Sequence, residues 1–244
     1  MRESGILMHI TSLPTPYGIG TMGKDAYAFV DFLVKAGQRC WQILPLTPTG
    51  YGDSPYQSLG ACAGNHYLID LDTLVDEGLL KKEEIQDISW GNNPKRVDFG
   101  AMYAHRMNVL RLAFQRFAPD KAYETFVEQN RSWLEDYALF MALKDTLGGK
   151  PWLDWPEALR LRKADALAEK RRELSEEIRL QFFAQYEFDK QWKALRSYAN
   201  AKGVRIIGDV PIYVPLDSAD VWANPELFQL DERRHPEQVA GCPP

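Results

Sequence analysis

The sequence predicts an α/β fold in the form of a partial TIM, or (β/α)8, barrel that contains the first three strands. Residues 5–13 and 39–46 are short apolar runs, and residues 25–36 between them carry apolar side chains at helical spacing. Strand, helix and strand with short joins form a βαβ unit with parallel strands. Residues 204–214 are a third apolar run, which leads into a loop rich in Asp, Trp and Tyr. The active-site rims of α/β barrels are built in this way, at the carboxyl ends of the strands.

The ends of these elements carry local signals. Asp25 is expected to cap the first helix, and Gly37 is expected to end it. The third run is apolar at nearly every position, as in parallel strands that are buried on both faces. After it, Asp217 is expected to cap a short helix that continues through Trp222, with Asp220 where a capping-box acid would lie.

Residues 71–203 are predicted to be mostly helical. Apolar side chains recur at helical spacing in residues 105–117, 121–147 and 173–202, and residues 156–172 are highly charged. This stretch is far too long to be a single crossover between strands. We therefore interpret it as a large helical subdomain inserted between strands two and three. The predicted organisation is residues 1–70 for the first two strands and an active-site loop, 71–203 for the insert, and 204–244 for the third strand and the loop that follows.

The composition excludes several classes of protein. The 244 residues are 45% apolar and 26% charged, which is ordinary for a globular chain, and the net charge of −5 does not suit a nucleic-acid partner. Three cysteines without paired spacing are typical of a reducing compartment. The N-terminus does not resemble a signal peptide, and no apolar run is long enough to span a bilayer. We therefore expect a cytoplasmic protein without a membrane partner.

The loop over residues 49–58, after the second strand, is the first candidate for ligand binding. It combines small flexible residues with Tyr51, Tyr56, hydroxyl groups such as that of Ser54, and amide and carboxylate groups. A sugar offers an apolar ring face, on which a Tyr ring can stack, and a rim of hydroxyls that such polar groups can bind. The alternative is a turn-rich connector in which both tyrosines pack inward, and composition does not decide between the two.

Asp209 is the second candidate, because it lies within the third apolar run. An ionised carboxylate there is unfavourable unless it is paired or lies at the mouth of the strand. It is either a structural residue, bonded to backbone N–H groups or to an Arg, or a carboxylate aimed into a pocket. Its position near the carboxyl end of the strand favours the pocket.

No metal or nucleotide site is predicted. The glycines at 18, 20 and 23 imitate a dinucleotide fingerprint, but no acidic residue closes the second strand, so we interpret them as a turn. No His, Cys and Asp spacing matches a metal site. His9 is expected to be a core residue with its hydrogen bonds satisfied. The other histidines are expected at the surface or in loops: His66, His105 and His235.

Several segments together resemble one enzyme family. They are GILMHITSLP at 5–14, WQILPL at 41–46, PTGYGDSPYQS at 48–58, AGN at 63–65 and GDVPIYVPLDSADVWANPELF at 208–228. The chain resembles the N-terminal half of the 4-α-glucanotransferases, the amylomaltase or disproportionating-enzyme family (glycoside hydrolase family 77) of α-amylase-like barrels. The resemblance runs in order from one end of the chain to the other.

The resemblance implies an α-retaining transfer in starch, glycogen or maltodextrin metabolism. A segment of a 1,4-α-D-glucan passes to the 4-hydroxyl of an acceptor glucose or glucan by double displacement, which two close carboxyl groups carry out. It implies maltooligosaccharides and α-1,4-glucans as substrates, and no cofactor or metal. In the family the nucleophile and the acid/base lie on later strands. We therefore expect them beyond Pro244, with no catalytic residue in this chain, which alone is expected to be inactive.

The resemblance also implies roles for particular residues. Ser54, Tyr56 and Asp209 match substrate-binding residues of the donor side, with Tyr56 as the stacking ring. Tyr51 and Tyr103 match a secondary glucan-binding position. Residues 239–244 match the start of a loop that covers the substrate. His66 stands where many relatives carry Pro, and residues 59–62 are less aromatic than usual.

Two alternatives remain open at this point. One is an α-amylase-clan hydrolase, in which water instead of a sugar takes the glycosyl group. The other is a non-catalytic glucan-binding or inert fragment. The products formed from maltotriose distinguish the transferase from the hydrolase. The length of the native chain decides the other alternative, because a protein that ended at Pro244 is not expected to be the enzyme.

Overall fold

A computed structural model, which describes residues 3–50, 52–93 and 95–236, contains a parallel sheet of three short strands. They pair in the order β1 (Gly5–Leu7), β2 (Cys40–Gln42) and β3 (Arg205–Ile207). Gly5 lies opposite Cys40, which lies opposite Arg205. The helix α1 (Lys24–Lys35) connects β1 to β2, so the predicted parallel βαβ unit is confirmed.

The strands are shorter than the apolar runs that predict them. After β1 the chain turns into a 3₁₀ helix at Ile10–Ser12, and β3 ends at Ile207 although the run continues to residue 214. The prediction that this whole third run is buried is wrong: Ile212 and Tyr213 are 90% and 83% exposed. Within the described ranges β3 pairs only with β2, so its outer edge has no strand partner.

The connection between β2 and β3 is helical, as predicted. The helix α4 begins at Lys121, and Gly148 and Gly149, both at positive φ, follow its last residues. The long helix α7 packs against α4, α1 and β3, and so joins the helical region to the sheet. In order, the helices of this region are α2 (Leu71–Asp76), α3 (Phe99–Phe114), α4 (Lys121–Thr146), α5 (Glu157–Arg160), α6 (Ala164–Glu173) and α7 (Ser175–Ala201). In the described ranges, no helix combines the length and apolar character needed to cross a bilayer.

The largest apolar core runs from the sheet into the helical region. Val30 of α1 and Trp41 of β2 belong to the same buried cluster as Leu110 of α3 and Phe183 of α7. The division of the chain at residues 70 and 203 stays a prediction. A second cluster gathers aromatic rings around the helix α8 (Ala219–Ala223): Phe140, Trp152, Trp155 and Trp222.

Two helix caps differ from the prediction. At α1 the capping position is Gly23, without a side-chain bond, and Asp25 lies in the first turn; the predicted stop is confirmed, since Gly37 follows the helix at a φ of 69°. At α8 the cap is Ser218, whose hydroxyl accepts a bond from the backbone N–H of Val221. Asp217 is engaged elsewhere, because its carboxylate pairs with Lys144 at 2.6 Å.

Candidate functional site

The loop after β2 folds back on itself. Thr49 and Ser58 form an isolated antiparallel bridge, and the N–H of Gly50 donates to the carbonyl of Gln57 at 3.3 Å. Asp53 adopts a left-handed conformation with a φ of 60°, which Asp tolerates better than most residues. The bridge and this turn fix the course of the polar segment between them.

Tyr56 and Asp209 come together, although they lie in loops that follow different strands. The Tyr56 hydroxyl donates to the Asp209 carboxylate at 2.7 Å, and this acceptor raises the pKa of the Tyr56 phenol above its usual value. The other Asp209 oxygen accepts from the N–H of Val210 at 2.8 Å. Tyr56 is 43% exposed, so this tyrosine does not pack inward as the alternative for the loop required. Asp209 bonds to no Arg of the described residues.

Ser54 belongs to the same group of side chains. Its hydroxyl accepts a bond from the backbone N–H of Tyr56 at 3.3 Å, a local turn of the kind that Ser forms two residues upstream of its donor. Ser54 therefore orients the backbone of Tyr56. The structure thus brings together Ser54, Tyr56 and Asp209, whose roles in binding stay predictions.

Tyr103 contacts the same loop from α3. Its hydroxyl donates to the carbonyl of Gly50 at 2.9 Å and lies 3.1 Å from the Asp53 carboxylate. Its ring meets that of Tyr67 edge to face, with centroids 5.9 Å apart. Tyr51 lies outside the described residues, so its pairing with Tyr103 stays a prediction.

The end of the loop is held by α7 and α8, which sequence reasoning missed. Gln185 binds the backbone of Gly64 twice: its side-chain carbonyl accepts from the N–H at 2.7 Å, and its amide donates to the carbonyl at 2.9 Å. Asp220 accepts from the N–H of Ala61 at 2.9 Å instead of serving as a capping-box acid. No local signal marks these residues, because each binds a backbone group more than a hundred positions away.

His66 is buried in the 3₁₀ helix His66–Leu68, so the prediction that it lies at the surface or in a loop is wrong. Only 9% of it is exposed, and burial, with a smaller effect of the Arg106 charge, lowers its pKa to about 3. Arg106 is fully buried on α3 and donates to the carbonyl of Tyr67. The apolar run that begins at Tyr67 was the available sign of burial, since it continues directly from His66.

His9 and the glycines near the N-terminus also have defined surroundings. His9 follows β1, burial lowers its pKa to about 4, and its Nδ1 atom has no hydrogen-bond partner in the described part of the chain, so the prediction of a satisfied histidine is wrong. The glycine segment is a turn, as predicted: Gly18 has a φ of 74°, and side chains at Gly20 or Gly23 would overlap Ile10 or Asp70. The described ranges contain no cluster of three or more metal-ligating side chains.

Comparisons with known proteins agree on one family. The family model described as 4-alpha-glucanotransferase matches residues 8–244. The 4-alpha-glucanotransferase of Clostridium butyricum is 48% identical over 240 residues, which are 97% of this chain and 49% of that protein. The protein of the same name from Thermus thermophilus is 51% identical over 249 residues, again covering 49% of its length. The chain therefore spans about half the length of the curated relatives it matches.

A solved structure gives the same result for the fold. The amylomaltase from Streptococcus agalactiae, determined in complex with acarbose, superposes with a TM-score of 0.93 at 49% identity, over 97% of this chain and 48% of that one. Corynebacterium glutamicum amylomaltase, at 18% identity and a TM-score of 0.70, shares the fold. Since the family model covers nearly all residues and the identities are about one half, the chain belongs to the 4-alpha-glucanotransferase family.

Proposed function

We propose that the protein to which this chain belongs transfers a segment of a 1,4-α-D-glucan to the 4-hydroxyl of an acceptor glucose or glucan. The family supports this reaction class, and the identity to named 4-alpha-glucanotransferases extends over the whole chain. The substrates are maltooligosaccharides and longer α-1,4-glucans, which is in keeping with the acarbose bound by the Streptococcus agalactiae relative. The compartment that we propose is the cytoplasm.

The observation that carries the proposal is the hydrogen bond of 2.7 Å between Tyr56 and Asp209. These residues lie in loops that follow β2 and β3, and the carboxyl ends of parallel strands are where α/β barrels build their sites. The bond holds the edge of a half-exposed aromatic ring beside a carboxylate. A ring face can stack on a pyranose while the carboxylate accepts from its hydroxyls, so the pair suits a neutral sugar.

Each remaining site residue has a proposed part in glucan binding. Ser54 positions Tyr56 through its backbone N–H and lines the same subsite. Tyr51 and Tyr103 form a secondary glucan-binding position apart from the site of Tyr56 and Asp209. This role is supported by the bonds from the Tyr103 hydroxyl to the loop residues Gly50 and Asp53.

We further propose that the catalytic carboxyl groups are not among these 244 residues. A retaining transfer needs a nucleophile and an acid/base about 5 Å apart. On this proposal the sheet is the beginning of a barrel, and residues 71–203 are an insert between its second and third strands. Residues 239–244, which lie outside the described residues, begin a loop that covers the substrate on the same proposal. The unpaired outer edge of β3 and the exposed side chains of Val210 and Ile212 support further strands beside it.

The products formed from maltotriose test the proposal. The protein at its full native length should give glucose together with maltodextrins longer than the substrate. Shorter sugars alone would show that water takes the glycosyl group, and the protein would then be a hydrolase. The isolated chain of 244 residues should form no product, and transfer by it would contradict the proposed location of the carboxylates.

A further inference from the structure

An open cleft lies between α4, α7 and the segment over residues 61–64. It has a volume of about 300 Å³, at the small end of the range for small-molecule sites. Its walls are the ring-bearing faces of α4 and α7, and its floor is the segment over residues 61–64. Neither Tyr56 nor Asp209 lines it, so the cleft is separate from the candidate site.

The floor leaves open space between α4 and α7, because four successive residues have small side chains: Ala61, Cys62, Ala63 and Gly64. The two bonds from Gln185 fix Gly64, and any larger residue there would overlap the ring of Phe188. The cleft is therefore a consequence of well-packed backbone and not of a loose loop.

The lining has the chemistry of a neutral sugar site. Trp133 and Trp192 are half-buried, so part of each indole faces the cleft. The Trp192 N–H has no acceptor in the described ranges, and Asp189 pairs with Lys193 through one oxygen, which leaves the other available. The described lining contains neither Lys nor Arg, which disfavours phosphates and other anions.

A smaller cavity of about 50 Å³ continues the cleft past Trp133 and Cys62. Tyr137 lines this cavity and is 2% exposed, and its hydroxyl has no hydrogen-bond partner among the described residues. A buried hydroxyl without a partner is unfavourable unless a ligand or water binds it. Because this oxygen is itself buried, a sugar in the cleft does not reach it, and the contacts available to the sugar are those of the cleft lining.

We propose that this cleft binds a short maltooligosaccharide, stacked against Trp133 and Trp192, at a site distinct from the one formed by Tyr56 and Asp209. The choice of a glucan over other neutral sugars rests on the proposed function. Holding a remote part of a long glucan would raise its local concentration at the reacting site, as linked binding sites do.

The exposed thiol of Cys62 gives a direct test, because it lines both the cleft and the cavity. The protein at its full native length is alkylated with iodoacetamide, with and without maltoheptaose, and each cysteine is followed by peptide mass spectrometry. With maltoheptaose at about ten times its dissociation constant, Cys62 should react about tenfold more slowly. Cys40, which lies on β2 away from the cleft, is the internal control and should react at an unchanged rate.

Substitutions assign the protection to the cleft. Trp192→Ala should reduce it, whereas Phe32→Ala, at an exposed aromatic residue of α1, is the matched control and should not. Tyr56→Ala should leave the protection intact. An unchanged Cys62 rate in the wild-type protein would overturn the proposal, as would protection that disappears in Tyr56→Ala. Assaying maltotriose transfer on the same sample shows separately whether the proposed function holds.

Discussion

Replacing His66 with proline should remove the contribution of one buried histidine to the acid sensitivity of the folded state. His66 is buried and its pKa is lowered from 6.5 to about 3, so it stays neutral in the folded protein at a pH where the unfolded chain is protonated. The unfolded state then binds more protons, and stability falls as the pH drops through 6.5 towards 3. Between about pH 7 and pH 5 the loss attributable to this side chain is about 2 kcal/mol.

The backbone at this position accepts proline. His66 is the first residue of the 3₁₀ helix His66–Leu68, where proline has a suitable φ, and its N–H donates to no acceptor in the described ranges. Asn65, which precedes it, is extended with a ψ of 108°, as a residue before proline prefers. Because no backbone bond is lost, the variant changes the titrating group without breaking the turn.

The assay is urea unfolding of the wild type and the variant at several pH values, with the free energy of unfolding compared at each. The wild type should lose about 2 kcal/mol more than His66→Pro between about pH 7 and pH 5. Phe32→Ala, at an exposed aromatic residue of α1, changes no titrating group; it is the control and should retain the wild-type slope. Equal slopes for the wild type and His66→Pro would refute the argument that a buried neutral imidazole makes the fold acid-sensitive.

Three further predictions concern the contacts that hold the loop and α8. Gln185→Leu leaves the buried N–H and carbonyl of Gly64 without partners and should cost about 2–4 kcal/mol in urea unfolding; a loss near zero would show that the two bonds do not support the loop. Ser218→Ala removes the cap of α8 and should cost about 1 kcal/mol in urea unfolding, and a loss near zero would show that this hydroxyl does not stabilise the helix. Asp220→Ala should raise the amide exchange rate of Ala61, and Asp220→Asn, which retains an acceptor oxygen, should raise it less.

Local signals in the sequence predicted the elements whose ends are decided locally. The predicted helix 121–147 agrees with α4 at Lys121–Thr146, because Asp120 caps its start and two glycines follow its end. The strands were predicted too long, because an apolar run shows where a strand can form but not where its partners stop. For β3 the pairing ends at Ile207, and only the neighbouring strand decides that.

The candidate site could be predicted in the part that follows from the direction of the strands, and not in the part that depends on distant contacts. The approach of Tyr56 to Asp209 follows from parallel strands, whose carboxyl ends meet at one edge, so two distant loops could be placed together from the sequence. The residues that support the loop could not, because Gln185 and Asp220 bind backbone groups from helices far along the chain. The choice of Ser218 over Asp217 as a cap likewise depends on Lys144, which competes for the carboxylate across 73 positions.

The most direct test of the central claim, that the loops after β2 and β3 form a glucan-binding surface, is the kinetics of maltotriose transfer by Tyr56 variants of the protein at its full native length. Tyr56→Ala removes the ring and should lower kcat/KM by roughly fivefold to tenfold, the equivalent of about 1 kcal/mol or a little more of stacking. Tyr56→Phe keeps the ring, loses only the bond to Asp209, and should be affected less. Unchanged KM and kcat in Tyr56→Ala would contradict the account.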